Sequence, residues 1–235
     1  MNFDTKVFIT AIKAGIQYIP FTLRFVVIIY ICSMVLGFLI ATVRHFKMPV
    51  LSQLLGVFVT FYIGLPQMVA LLLYYMLYLL TFDDVAAALH LSITIADFTP
   101  LVVCYVAMIL SGMCGQCEVF RSAYKSIDQI QFEAGYSIGL TKGQTLRRII
   151  IPQMIPVVIP SMINRLVGSI KNANAVSYIG VYEIMQGSLQ ACMKSYSYLE
   201  GSCAAAVIYW TINVFVEQAG KQVEKRSVRF RRQVA

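Results

Sequence analysis

The sequence predicts an all-α integral membrane protein with five transmembrane helices, an N-terminal interfacial helix and one further helix inside a cytoplasmic loop. Three observations predict it. Hydrophobic residues make up 59% of the 235 and charged residues 13%, with a positive mean hydropathy; soluble chains hold about 45–50% and about 25%. Five apolar runs approach the roughly 20 residues that cross a bilayer as helix. The basic residues gather in alternate loops, as topology signals do. No Pro/Gly/Ser linker divides the chain, so residues 1–235 read as a single transmembrane domain, with an interfacial segment (1–20), a membrane core (21–220) and a basic tail (221–235).

The N-terminal segment places Phe8, Ile12, Ile16 and Ile19 at helical spacing with Lys6 and Lys13 among them. That is an amphipathic helix lying on the membrane surface. It lacks the cleavage site of a signal peptide. The first span runs from Phe21 to Val43 and the second from Leu51 to Leu80, with slack and an interruption at Gly64-Leu65-Pro66-Gln67. A shorter third covers Pro100 to Gly115, a fourth Ile149 to Ile170 and a fifth Ser202 to Ala219.

Five spans put the chain ends on opposite sides. Arg44 and Lys47 follow the first span; Arg121, Lys125, Lys142, Arg147 and Arg148 follow the third; Lys221, Lys225, Arg226, Arg229, Arg231 and Arg232 follow the fifth. These loops hold 13 of the 19 basic residues. Between spans two and three stand Asp83, Asp84 and Asp97 without a lysine or arginine. The positive-inside rule places the basic set in the cytoplasm and the N-terminus outside. The net charge of +8 is thus a topology signal, and nucleic acid is not an expected partner.

The cytoplasmic loop of about 121–148 is long for a connection and is expected to have a task. Glu133-Ala134-Gly135, with Gly139 four residues on, reads as a short helix with a strip of small side chains, and Gly139-Leu140-Thr141-Lys142 as its end. On these residues alone the helix either docks a partner closely or lies on lipid headgroups. Prolines at 152, 156 and 160 each remove a backbone donor, giving a broken helix start or ordinary kinks, both tolerable where neighbours satisfy the backbone.

The fourth span carries a polar stripe. At about 100° per residue, Ser161, Asn164, Arg165, Gly168, Ser169, Lys171 and Asn172 share an arc of about 160°. Met162, Ile163, Leu166, Val167 and Ile170 fill the opposite arc. An intramembrane arginine must face protein or water. Either a salt bridge to another helix, with Glu217 the nearest motivated acid, or the wall of a substrate path satisfies it.

Other chemistry finds little support. Cys114-Gly-Gln-Cys117 has the spacing of a zinc or redox pair but lacks a second pair, and His45 and His90 are distant. The cysteines read as small hydrophobes, with a Cys192–Cys203 bridge conceivable. No G-x-x-x-x-G-K-[ST] loop is present. No catalytic cluster or metal-ligand set appears, so the chain is not expected to be an enzyme or to hold a cofactor.

The loop resembles the signature of the permease subunits of bacterial ATP-binding-cassette importers: Glu-Ala-Ala, three residues, Gly, nine residues, Ile-x-Leu-Pro. Glu133-Ala134-Gly135, Gly139 and Ile149-Ile150-Ile151-Pro152 keep every spacing, with Gly135 for the second alanine and Ile151 for leucine. Asn164, Lys171 and Val176-Ser177-Tyr178-Ile179-Gly180-Val181-Tyr182-Glu183 look like the polar amino acid branch, as do Glu118, Arg121 and Phe61 to Pro66, where Ile63 and Leu65 replace its arginine and threonine. The resemblance implies a type I importer permease fold in the bacterial cytoplasmic membrane. It further implies a coupling helix (Glu133, Ala134, Gly135, Gly139, Leu140) that docks on a dimer of ATPase subunits, which bind the ATP and Mg. A second permease chain, identical or homologous, an extracytoplasmic solute-binding protein and a polar amino acid substrate complete the implied system, working by alternating access. Arg165 and Ser169 match positions that contribute to an amino acid site in such permeases, where Arg165 is more often neutral or acidic. The alternative, a secondary transporter or channel subunit without an ATPase, predicts inverted repeats or buried acids. No repeat is visible, and Glu217 is the only acid within the spans.

The orientation is checked with a chain whose native cysteines are removed. A cysteine placed beside Asp84 is expected to react with an impermeant thiol reagent from outside, and cysteines beside Lys142 or Arg229 only after permeabilisation. The reverse pattern overturns the assignment.

Overall fold

A computed structural model describes residues 3–97 and 99–234, leaving undescribed the side chains of residues 96 and 228–234. Helix α1 (Thr5–Ile16) is opened by Asp4, whose carboxylate accepts from the Lys6 and Val7 N–H groups. It is followed by α2 (Ile19–His45), α3 (Leu51–Ile63), α4 (Gln67–Ala88), α5 (Leu101–Ser126), α6 (Gln129–Ser137) and α7 (Lys142–Thr145). A π turn (Leu146–Ile150) leads into α8 (Ile151–Asn172), a 3-10 segment (Ala173–Ile179), α9 (Ile184–Gln190) and α10 (Tyr198–Val234). Among the described residues, five helical stretches are long and apolar enough to cross a membrane, as the hydropathy predicts.

The boundaries differ from the expectations in places with identifiable causes. The second run is split: α3 closes at Gly64, and Pro66 stands extended before α4 at φ −59°, ψ 129°. Proline lacks the donor that would continue a helix and biases its predecessor away from it. At 13 residues, α3 reaches only about 20 Å, short of the roughly 30 Å hydrocarbon core; the span is α4. The third helix runs on to Ser126, well past Gly115. Its polar extension stays helical because Glu118 pairs with Arg44 of α2 at 2.7 Å and with Arg121 one turn on at 2.5 Å. Arg121 and Lys125 therefore lie in the helix, and the connecting loop starts only after it. Nor is the proline-rich start of the fourth span broken. The Ile151 N–H reaches back to the Leu146 carbonyl, the long register of a π turn, and the chain stays helical through Pro156 and Pro160.

Helix α1 is amphipathic as expected, but protein covers one side of it. Ala11 packs on Cys192 and Ala204, with Phe8 and Ile12 beside them. A Cβ at Gly15 would overlap Ser188. Ile9 and Ile16 remain exposed. All six cysteines are free thiols, so Cys192 and Cys203 form no bridge, and Cys114 and Cys117 are buried in α5. Of the basic tail, the side chains of Arg229, Arg231 and Arg232 lie outside the described residues.

The most extensive helix contact joins α2 to α5. Phe25, Ile29, Ser33, Gly37 and Ala41, spaced by four, form the buried stripe of α2, while Val27, Ile31, Val35 and Leu39 point outward, as suits lipid. Where the helices cross, a Cβ on Gly37 would lie 2.7 Å from Gln116 Cβ and 2.8 Å from the Cys117 nitrogen. A Cβ on Gly112 would overlap the Ser33 hydroxyl. Small residues substitute for a hydrophobic driving force between membrane helices by allowing such backbone approach.

Gly37→Ala is accordingly expected to cost about 1–3 kcal/mol through overpacking, read as a lower unfolding midpoint of the detergent-purified protein. Gly143→Ala, where a Cβ would meet nothing within 4 Å, serves as the control and leaves the midpoint unchanged or slightly raised.

Candidate functional site

The polar arc of α8 faces a cavity of about 450 Å³. Its apolar arc is packed into the protein: Leu166 and Ile170 meet Val26 of α2 and Tyr209, Ile212 and Val216 of α10, and Ile163 fills the place of a Cβ on Gly220. The helix is thereby held with one azimuth only. Ser161, Asn164, Arg165, Gly168, Ser169 and Asn172 line the cavity. Lys171 does not; it is exposed and lies in the field of Glu217 on α10.

Sequence reasoning missed the other walls. Helix α2 contributes Tyr30 and Ser33, α4 begins with Gln67, and α5 presents Ser111, Gly112 and Gln116. The Tyr30 hydroxyl donates to the Met162 carbonyl at 2.8 Å, tying α2 to α8. The Asn172 amide donates to Gln67 Oε1 at 3.0 Å and closes one edge. Ser169 donates to the Arg165 carbonyl at 2.9 Å. The only available signal was a polar residue inside or just beyond each apolar run, most visibly Gln116.

Arg165 has no carboxylate within ion-pair distance among the described residues. Glu217, its motivated structural partner, is paired instead with Lys221 at 2.8 Å. The guanidinium lies over Gly115 of α5, where a Cβ would overlap it. A planar cation stacked on bare backbone keeps its donor fork open for a carboxylate.

The loop is built differently from the strip of small residues that its spacing suggests. Asp128 caps α6 by accepting from the Ile130 N–H. Phe132 and Gly135 face inward and are buried, whereas Glu133 and Ala134 are exposed. Phe132 stacks on His45, which stacks on Tyr124, with ring centroids 5.0 Å and 4.4 Å apart. A Cβ at Gly135 would lie 2.5 Å from Thr145 Cγ2 and 3.2 Å from Ile149 Cδ1, so its smallness serves contact within this chain. Gly139 lies beyond the helix at φ +80°, with nothing within 4 Å of a Cβ. Its left-handed backbone favours glycine. Leu140 is half-buried. The outer face of α6 offers Ile130 and Ile138 at 63% and 73% exposure, flanking Ala134 and Glu133.

Glu183, which closes the segment from Val176, caps α9 by accepting from the Gln186 N–H at 3.1 Å and from the Tyr209 hydroxyl of α10. Burial pushes its carboxyl above the usual carboxylate range, against the opposing pull of those donors.

Residues 8–229 match the family described as "Binding-protein-dependent transport system inner membrane component". The chain is 30% identical over 222 residues to the "Probable amino-acid ABC transporter permease protein PatM" of Vibrio harveyi, covering 92% of each. It is likewise 30% identical over 210 residues to the L-cystine transport system permease protein TcyL of Bacillus subtilis, covering 89% of this chain and 85% of the relative. Its fold is similar to that of an amino acid ABC transporter crystallised with histidines, with a TM-score of 0.77 at 21% identity, covering 96% of this chain and 100% of that one. The MetNI methionine ABC transporter follows, with a TM-score of 0.70 at 13% identity over 91% of this chain and 96% of that chain.

The Gly135 contact generates a double-mutant test. Gly135→Ala is expected to cost about 1–3 kcal/mol. Thr145→Ala, which removes the opposing atoms and a buried hydroxyl without a partner, should recover most of that loss when combined with it. Thermal unfolding of the four proteins gives the coupling energy; strictly additive effects would show that α6 does not rest on Thr145.

Proposed function

The chain belongs to the family of inner membrane components of binding-protein-dependent transport systems, and from that premise we propose that its α8 cavity is a segment of the path for a polar amino acid. The protein is a multi-pass inner membrane permease of an ATP-binding-cassette importer and is not itself the catalytic subunit. Such a system includes an ATPase and a solute-binding protein. The amino acid substrate is supported by relatives named for amino acid or cystine transport. The observation that carries the reading is the arc of α8: its apolar side is packed on α2 and α10 while Ser161, Asn164, Arg165, Ser169 and Asn172 line one cavity.

The proposed assembly pairs this chain with a second permease, identical or homologous, and two ATPase subunits that hold the ATP and Mg. The outer face of α6, with Glu133 and Ala134 between Ile130 and Ile138, is the docking surface on the ATPase. Gly135 and Gly139 set the shape of that surface from behind and from its end, and Leu140 supports the turn. Motion of α6 has two routes inward. Phe132 bears on His45 and Tyr124 at the ends of α2 and α5, and Gly135 bears on Thr145 and Ile149 in α7 and the π turn that lead into α8. Both routes lead to helices that line the cavity, which is the mechanical requirement of alternating access. The N-terminus outside and C-terminus inside complete the proposed orientation.

Arg165 gives the test. In reconstituted importer, Arg165→Ala is expected to lower substrate affinity about ten- to hundredfold, the worth of a hydrogen bond to a charged group, while complex yield is unchanged. Arg165→Lys recovers part, because it keeps the charge and loses the fork. Unchanged affinity with poor assembly would make Arg165 a structural residue.

A further inference from the structure

The cavity wall carries a charge pattern that family membership does not fix. Among the described residues, Arg165 is its one cation, and no aspartate or glutamate lines it. None of the acids of the surrounding elements faces it: Glu118 pairs with Arg44 and Arg121, Glu217 with Lys221 and Glu183 with Tyr209, Asp83 accepts from the Ile95 N–H and Glu200 from the Asp4 N–H, and Asp84 and Glu224 lie outside the lining. The other polar groups are neutral, and one of them is incomplete. Gln116 is 2% exposed and lies beside Tyr30, yet its Oε1 has no hydrogen-bond partner. Its Cβ lies against Gly37 where α2 and α5 cross, while the amide is free to turn about the side-chain bonds beyond it. A buried acceptor without a donor is costly, and a turn of the amide toward the cavity would let a ligand N–H complete it.

Resting on the reading of this cavity as the substrate path, we propose that it takes amino acids with neutral or anionic side chains and rejects cationic ones, with Gln116 Oε1 accepting from the ligand's α-ammonium. A zwitterion fits this wall: its carboxylate meets the Arg165 fork and its ammonium meets Gln116. A cationic side chain adds a second positive charge to a site that already holds Arg165 and offers no counter-charge, and an unpaired charge removed from water is strongly unfavourable. An anionic side chain adds the opposite sign.

The test uses the assembled permease–ATPase complex without the solute-binding protein, whose own selectivity would mask that of the cavity. Equilibrium binding of radiolabelled glutamine, glutamate, arginine and lysine is measured on it. Glutamine and glutamate are expected to bind about ten- to hundredfold more tightly than arginine and lysine. Gln116→Leu should weaken glutamine about tenfold and leave the deaminated analogue glutaramate unchanged, because that analogue lacks the ammonium. Arginine or lysine binding as tightly as glutamine overturns the charge selection, and equal weakening of glutamine and glutaramate overturns the role of Gln116. Charge selection is read on the unaltered complex, so it stands or falls without the variant. Binding of none of the four would overturn the cavity as substrate path, a failure distinct from wrong selectivity.

Discussion

The rest of the structure depends on the close crossing of α2 and α5. Gly37 sits where a single methyl group would strike Gln116 and the backbone of its neighbour, and Gly112 leaves room for Ser33. In a bilayer, apolar contact with lipid is nearly as favourable as contact with another helix, so association must come from intimate packing. That crossing fixes α5, and α5 in turn holds Gln116 and the bare backbone of Gly115 under Arg165. The Arg44–Glu118–Arg121 cluster secures the same helix pair nearer its far end with charged groups. A polar cavity inside a membrane protein needs a rigid frame of this kind, because its polar groups otherwise find partners by collapsing onto one another.

Much of this was legible in the sequence, and the boundary of legibility is physical. The azimuth of α8 could be read because a helix repeats every 3.6 residues, so its polar and apolar residues separate on a wheel before any neighbour is known. The loop helix was legible from its spacing. The opposite walls of the cavity were not, since Tyr30, Ser33, Gln67 and Gln116 are isolated polar residues on three different helices and only tertiary approach brings them together. The length of α5 was hidden because Glu118 and Arg121 read as loop residues until their charges meet Arg44. The split of the second run was marked by its Gly-Leu-Pro, yet hydropathy alone averages through a break that has no polar residue.

Gly135 and Gly139 show how one residue type can serve unlike needs four positions apart. Gly135 is small because Thr145 and Ile149 press on it from the same chain; Gly139 is small because its backbone is left-handed and a side chain there would be strained. Neither glycine forms the outward face of α6. The exposed surface is instead Ile130, Ala134 and Ile138 with Glu133 among them, an apolar ridge with one acid.

The π turn at Leu146–Ile150 has a consequence for which changes the chain tolerates. A π turn advances by more residues per revolution than the α-helix around it, so it sets the rotational phase of everything that follows. Packing of the apolar arc on α2 and α10 holds Arg165 on the cavity side of α8, and the residues through that turn must match that phase. Gain or loss of one residue in this stretch would rotate the helix by about 100°, carrying the guanidinium toward the apolar side packed on α2 and α10. A substitution along the stretch leaves that phase untouched. A change of length does not. The invariant of this connector is therefore a number of residues rather than a set of them, and insertions and deletions, tolerated in most surface loops, are excluded here by rotation.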